Sequence, residues 1–199
     1  MKKIVIASNN PGKIRELADM LAPLGIEAIA QSEFRIAQAE EPHDTFLENA
    51  LAKARHASRA TSLPALADDS GLCVSALDGE PGVNSAYYAG REGNREQRDA
   101  RNNAKLAATL AHHSNRAAFY YCVLVLARSP ADPTPIVAEG RWHGELILEA
   151  RGAGGFGYDS HFVPRGGKRS AAELAPAEKN RASHRGQALS ALAARLAEG

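Results

Sequence analysis

Two cysteines in 199 residues are too few for a disulfide framework. Cys73 and Cys122 each lie in an apolar run, Gly71 to Ala76 and Tyr120 to Ala127, and form no CxxC pair, so both read as buried free thiols. An excess of basic charge is missing as well. With 24 Lys+Arg against 23 Asp+Glu, the net charge of +1 excludes an extended nucleic-acid surface, which needs many cations to displace counterions. Any anionic partner is therefore small. No window approaches the roughly 20 apolar residues of a membrane span, and the apolar stretch after Met1-Lys2-Lys3 is too short for a signal peptide. These absences together predict a cytoplasmic protein with no membrane partner. Several catalytic signatures are also missing: there is no G-x-S-x-G elbow, no H-E-x-x-H, no Walker P-loop and no paired Cys/His nucleophile.

At 44% apolar and 24% charged residues, the chain is long enough to bury a real core, and no linker divides it, so residues 1–199 read as one domain. Lys3 to Ala7 reads as a strand, Ser8 to Gly12 as a tight polar loop, and Lys13 to Leu21 as a helix with Ile14, Leu17 and Leu21 on one face. A short strand near Ile26 to Ala30 follows. Asp44 is the expected N-cap of an alanine-rich helix reaching about Ala60. Pro64 to Leu77 reads as a buried strand interrupted at Asp68-Asp69-Ser70-Gly71. A turn-rich loop covers Gly79 to Gly93, and Arg95 to Ala111 reads as a helix facing the core through Ala100, Ala104, Ala107, Ala108 and Leu110. Two strands, Ala117 to Arg128 and Pro135 to Leu148, join through a hairpin at Ser129 to Pro133. A glycine-rich loop from Gly152 to Gly167, with a short strand at His161 to Val163, precedes a last helix, Glu178 to Leu196, whose apolar face carries Ala188, Leu189, Leu192 and Leu196. The class is mixed α/β, with two lobes flanking a cleft.

Four segments carry chemistry. Ser8-Asn9-Asn10-Pro11-Gly12-Lys13 joins a strand to a helix, where backbone amides and the Lys13 ammonium suit a phosphate; a plain turn with a surface lysine is the other reading. Asp68-Asp69 inside an apolar strand is costly unless used, and hard Mg2+ takes one or two carboxylates plus phosphate oxygens. Consecutive strand residues point to opposite faces, so only one of the pair faces a given cleft. Glu40-Glu41 is a second acidic pair. Gly152-Ala153-Gly154-Gly155-Phe156-Gly157 matches G-x-G-x-x-G, but Pro164, Gly166 and Gly167 forbid the helix that a dinucleotide site requires. What remains is a loop bearing Phe156, Tyr158 and Asp159, suited to stacking on and hydrogen bonding to a planar heterocycle, or simply a glycine-rich turn. Lys179 and Ser183-His184-Arg185 lie near the start of the last helix, and a non-helical turn before about Ala182 lets Lys179 and Arg185 converge. Residues 1–139 hold 15 basic and 17 acidic side chains, and residues 140–199 hold 9 and 6, a split that suits a metal-assisted anion site.

Together SNNPGKIREL (8–17), EE…TFLENALAKA (40–54), PALADDSGLCV (64–74), GEPGVNSAYYAG (79–90), GAGGFGYD (152–159), AAEL (171–174) and EKNRASHRGQAL (178–189) resemble the inosine triphosphate pyrophosphatase family, whose bacterial form acts on dITP and XTP. The resemblance spans nearly the whole chain. It implies an elongated mixed β-sheet flanked by helices, two lobes with a central substrate cleft, and a homodimer. It implies Mg2+-dependent hydrolysis of non-canonical purine nucleoside triphosphates to the monophosphate and pyrophosphate, cleansing the nucleotide pool. Ser8, Asn9, Asn10, Pro11, Gly12 and Lys13 then correspond to triphosphate contacts, Asp69 to the proton acceptor and a Mg2+ ligand, and Ser70 to a substrate contact. Glu41 corresponds to the second metal ligand, with Glu40 as the alternative. Phe156, Gly157, Tyr158, Asp159, His184 and Arg185 are similar to the base-recognition set, and Lys179 to a phosphate or base contact. Tyr87 stands where the family commonly has arginine, Ser160-His161 replace a Pro-aliphatic pair, and Pro42-His43 replace Thr-Gly. The rival from another class, a non-catalytic nucleotide-binding module, leaves the buried acidic pair without a use.

Overall fold

Each of the three longest helices before the C-terminal region begins where a side chain can take over its first free amides. In the computed structural model, which describes residues 2–197, Asn10 caps α1 (Pro11–Leu21), its side-chain oxygen accepting from the Gly12 and Lys13 amides. Thr45, rather than the expected Asp44, caps α2 (Phe46–Thr61): its Oγ1 accepts from the Glu48 amide at 3.2 Å and donates to the Glu48 carboxylate at 2.6 Å. The Thr45 hydroxyl thus engages both the amide and the carboxylate of Glu48, a two-residue signal that outranks a lone aspartate. Asn94 and Gln97 form a capping box for α3 (Arg95–Leu110): the Gln97 amide donates to Asn94 Oδ1 and the Asn94 amide to Gln97 Oε1, both at 3.0 Å.

The strands are β1 (Lys3–Ile6), β2 (Glu27–Ala30), β3 (Ala65–Val74), β4 (Ala117–Ala127), β5 (Ile136–Leu146) and β6 (Phe162–Pro164). They form one mixed sheet in the order β2-β1-β3-β4-β5-β6. β1 is parallel to β2 and β3, whereas β6 is antiparallel to β5. The chain divides into two compact units. The first takes residues up to 69, 122–140 and from 185 onward; the second takes 70–121 and 141–184. The core of the first unit gathers Ile4, Ile6, Leu17, Leu21, Leu66, Leu124, Leu126, Leu189 and Leu192. The second is built on Leu72, Val74, Leu106, Leu110, Tyr120, Trp142 and Phe162, with the Tyr120 and Phe162 rings edge to face at 4.8 Å between centroids.

Three expectations from the sequence change. β3 runs without interruption through Asp68-Asp69-Ser70-Gly71, because both carboxylates find cationic partners in the first unit. α3 buries Asn102, Leu106 and Leu110, while Ala100, Ala104 and Ala108 face solvent. Alanine favours helix wherever it stands and marks no particular face. The C-terminal region is two helices, α4 (Pro176–Ala182) and α5 (His184–Ala197), broken at Ser183, whose backbone is extended. The expected non-helical turn before about Ala182 is absent, since residues 176–182 are helical; the break falls at Ser183, and Lys179 and Arg185 take different partners on either side of it. Cys122 is buried as expected and Cys73 is half-buried; both are free thiols.

The β4–β5 connection is held by a buried carboxylate. Asp132 accepts from the Arg128 amide and Nε at 2.9 Å, from Arg128 Nη2 at 2.9 Å and from the Thr134 amide at 3.0 Å. Hydrogen bonds from Arg128 hold the Asp132 carboxyl well below the usual carboxylate range. A depressed folded-state value contributes stability above the unfolded value of about 4 and loses it as pH falls below that point. Asp132→Asn should accordingly destabilise the protein at pH 7 by roughly 1–3 kcal/mol. In urea unfolding the gap to wild type should narrow from about pH 4 downward; a constant gap would remove the ionised carboxylate from the turn's energetics.

Candidate functional site

The first unit assembles a charged cluster around the middle of β3. Asp68 and Asp69 alternate as strand neighbours do and turn to different partners. Asp68, 1% exposed, receives Arg185 Nε at 2.7 Å, the Cys122 thiol at 3.2 Å and the Lys13 ammonium. Burial alone would raise its carboxyl, but Arg185 and Lys13 hold it well below the usual range. Arg185, also 1% exposed, spends its other arm on Glu16, and the two carboxylates keep it above its ordinary value despite burial. The sequence resemblance groups Arg185 with base recognition. The structure places its guanidinium inside the first unit, bridging β3 to α1.

Asp69 turns to α2. Lys53 donates to Asp69 Oδ1 at 2.7 Å and lies 3.0 Å from Glu41 Oε1, so one ammonium draws both carboxylates together. Burial pushes the Asp69 carboxyl above its ordinary value, opposed by Lys53 and Lys13 and assisted by the adjacent Glu41. Lys53 is raised in spite of its burial because it faces Asp69 and Glu41, and it stays charged. At 7% exposure Asp69 is no ordinary surface aspartate, and its raised value makes it a better proton acceptor.

The segment carrying Glu41 is tied to α2 at two points. The His43 amide donates to Asn49 Oδ1 at 3.1 Å, Asn49 Nδ2 donates to the His43 carbonyl at 3.0 Å, and the His56 ring contacts the Ala37 carbonyl at 2.9 Å. The buried stripe Asn49, Ala50, Lys53, Ala54, Ala57 of α2 thereby delivers both Lys53 and Glu41 to Asp69. Sequence reasoning missed Lys53. Its signal was present: a lysine at i+4 from Asn49 on the one face that Ala50, Ala54 and Ala57 mark for burial.

The Ser8–Lys13 turn differs in one respect from the expected phosphate cradle. Asn10 Oδ1 accepts from the Gly12 amide at 2.9 Å and the Lys13 amide at 3.3 Å, Ser8 Oγ accepts from the Asn10 amide at 3.1 Å, and Pro11 has no amide hydrogen. These amides are committed internally. An anion at this end of α1 draws on its partial positive charge and the side chains of Ser8, Asn9 and Lys13, or displaces the Asn10 carboxamide. Asn9 is itself positioned, accepting from Gln31 Nε2 at 2.9 Å. Ser70, the next residue of β3, is half-buried and begins the second unit.

In the second unit the glycine loop is folded around Asp159. Its Oδ2 accepts from the Phe156 amide at 2.8 Å and from Lys179 Nζ at 2.9 Å. Gly155 has φ +73°, and a Cβ there would sit 2.1 Å from that same oxygen, so only glycine permits this closure. Lys179 Nζ also lies 4.8 Å from the Phe156 ring centroid. Tyr158 turns into the core, its hydroxyl donating to the Ser85 carbonyl at 2.8 Å, which leaves Phe156 as the partly exposed aromatic of the pair. His184 stacks on Tyr120 with centroids 4.8 Å apart and planes 9° from parallel.

Residues 4–195 match the Ham1 family. The chain belongs to that family. A dITP/XTP pyrophosphatase of Burkholderia pseudomallei is 61% identical over 98% of this chain and 94% of its own length. One of Nitrosomonas europaea is 59% identical over 100% of this chain and 96% of its own. Among solved structures, a HAM1 protein from Coxiella burnetii superposes with a TM-score of 0.90 at 46% identity, covering 100% of both chains. A nucleoside-triphosphatase / dITP/XTP pyrophosphatase from Mycobacterium abscessus reaches 0.73 at 44% identity, over 96% of this chain and 98% of that one. Relatives this similar along their full length make this Ham1 chain an enzyme, a hydrolase of the pyrophosphatase class, and not a passive binding module.

Among the described residues, no group of three or more His, Cys, Asp or Glu side chains is arranged to hold a metal. The donor set still fits Mg2+. Glu41 and Asp69 are hard oxygen donors gathered on one cation, and this ion characteristically takes one or two carboxylates and completes its shell with water and substrate phosphate. No described helix is long and apolar enough to cross a membrane.

Proposed function

We propose that this Ham1 enzyme hydrolyses non-canonical purine nucleoside triphosphates, dITP, ITP and XTP, to the monophosphate and pyrophosphate in a Mg2+-dependent reaction that keeps deaminated purines out of the nucleotide pool. The observation that carries the reading is the buried carboxylate Asp69, held against Lys53 beside Glu41. Mg2+ held by Glu41 and Asp69 would neutralise charge on the phosphate oxygens. Asp69 orients a water and takes its proton as the water oxygen bonds to the α-phosphorus. The bond from that phosphorus to the bridging oxygen breaks, and pyrophosphate leaves. Lys13, at the start of α1, offsets the growing negative charge. Lys53 holds Asp69 in place.

The purine is assigned to the second unit, to Phe156 and the residues that shape its loop, with His184 as the side-chain donor for a 6-oxo group. Adenine presents an amino donor at that position and leaves the protein donor unpaired, a penalty of about 1–3 kcal/mol. Homodimerisation and a cytoplasmic location complete the proposal. Incubation with dITP and Mg2+ should release pyrophosphate, with ITP and XTP turned over far faster than ATP or GTP. Orthophosphate as the only product would overturn it. Base–aromatic stacking is worth about 1–3 kcal/mol, so Phe156→Ala should raise KM for ITP and XTP by roughly tenfold or more. An unchanged KM in steady-state kinetics removes Phe156 from base binding.

A further inference from the structure

One face of α3 grips the base loop through three successive turns. Residues 95, 99 and 103 are spaced by four and share that face. The Arg95 guanidinium carbon lies 4.6 Å from the Phe156 ring centroid, and its Nε lies 3.7 Å from Asp99 Oδ2. Asp99 Oδ2 accepts from the Gly157 amide at 3.0 Å, and Asn103 Nδ2 donates to the Gly157 carbonyl at 2.9 Å. Both backbone groups of Gly157 are therefore bonded to α3 side chains, while the ring before it is covered by a cation from the same helix face. From the other side of the sequence, Lys179 of α4 and Asp159 secure the same loop.

We propose that Arg95, Asp99 and Asn103 are positioning residues that hold the Phe156–Asp159 loop in the one conformation that reads the purine. The proposal rests on the assignment of the base to Phe156. A glycine-rich segment loses more conformational freedom than any other when it is ordered, and a loop left to order on substrate binding subtracts that cost from affinity. Anchoring Gly157 at both its N–H and its C=O, on a rigid helix, meets the cost in the free protein. Selection between purines depends on the loop more than the chemical step does, because an unpaired donor discriminates only if it cannot move away. These three residues lie far in sequence from the glycine loop and touch it only through the fold.

The test uses the full-length enzyme and its Asp99→Ala, Asn103→Ala and Asp99→Asn variants, with kcat and KM measured for ITP and for ATP, together with Tm and amide hydrogen exchange at Gly157. Loss of one anchoring bond should raise KM for ITP about tenfold in Asp99→Ala, with kcat changed much less, and should lower the ITP:ATP preference. Gly157 exchange should accelerate at unchanged Tm. Asp99→Asn, which keeps an acceptor for the Gly157 amide, should recover most of the KM. Unchanged KM and preference in both alanine variants would overturn the proposal, as would an equal loss of kcat on ITP and ATP, which marks general damage. A wild type that turns over ITP and ATP alike would instead overturn the functional reading beneath it, a result visible before any variant is made.

Discussion

Asp69→Asn should lower kcat for pyrophosphate release by about a thousandfold, within the 10²–10⁴ range that a positioned proton acceptor supplies, while leaving the protein folded. The two halves of this expectation have separate physical grounds. Activity falls because an amide neither accepts a proton at neutral pH nor offers a charged oxygen to a divalent cation. The fold persists because the asparagine side-chain oxygen still accepts from Lys53, which also retains Glu41 at 3.0 Å. Stability argues the same way. Burial raises the Asp69 carboxyl above its ordinary value, so the ionised form is disfavoured by folding at neutral pH, and replacing it with a neutral isostere removes that cost. Tm should thus move by only a few degrees. Near-normal pyrophosphate release in the presence of Mg2+ would sink the catalytic assignment; a collapsed Tm would instead make Asp69 a structural ion-pair partner.

Asp69 was conspicuous in the sequence because a carboxylate pair inside an apolar strand conflicts with every local rule for burying such a run. Its partners were not. Lys53 sits in an alanine-rich helix whose composition looks like a solvated surface, and only the placement of Asn49 and the alanines on one face, meaningful once the helix is docked, shows it to be interior. The terminal elements α1 and α5 were legible because leucines repeat at helical spacing and land together in the first core. α3 misled because alanine fits either face, and its working residues are the polar ones that a hydrophobic pattern skips. Tyr158 and Phe156 are two residues apart in the same loop, yet one is pinned in the core by the Ser85 carbonyl and the other is partly exposed. Such distinctions come from contacts across 73 residues of chain, which no local pattern encodes.

Arg185→Met should destabilise the protein by about 3–5 kcal/mol, because it leaves Asp68 and Glu16 without the guanidinium that bridges them. Asp68 is buried and held strongly ionised, so it cannot recover its lost partner from water. Lys13 and the Cys122 thiol remain beside it, which sets the effect within this range and not beyond it. At roughly 2–4 °C per kcal/mol for a chain of this size, Tm should fall by about 10 °C. Arg185→Lys should recover only part of the loss, since one ammonium cannot reproduce a fork that meets Asp68 through Nε and Glu16 through Nη1. The outcome separates two roles for the residue. If Arg185 served the base alone, the methionine variant would keep its Tm and lose only affinity for ITP. If it braces β3 against α1, stability falls first, and Asp68→Asn combined with Arg185→Met should be less destabilised than the sum of the two single changes, because the second substitution removes the charge that the first one stranded.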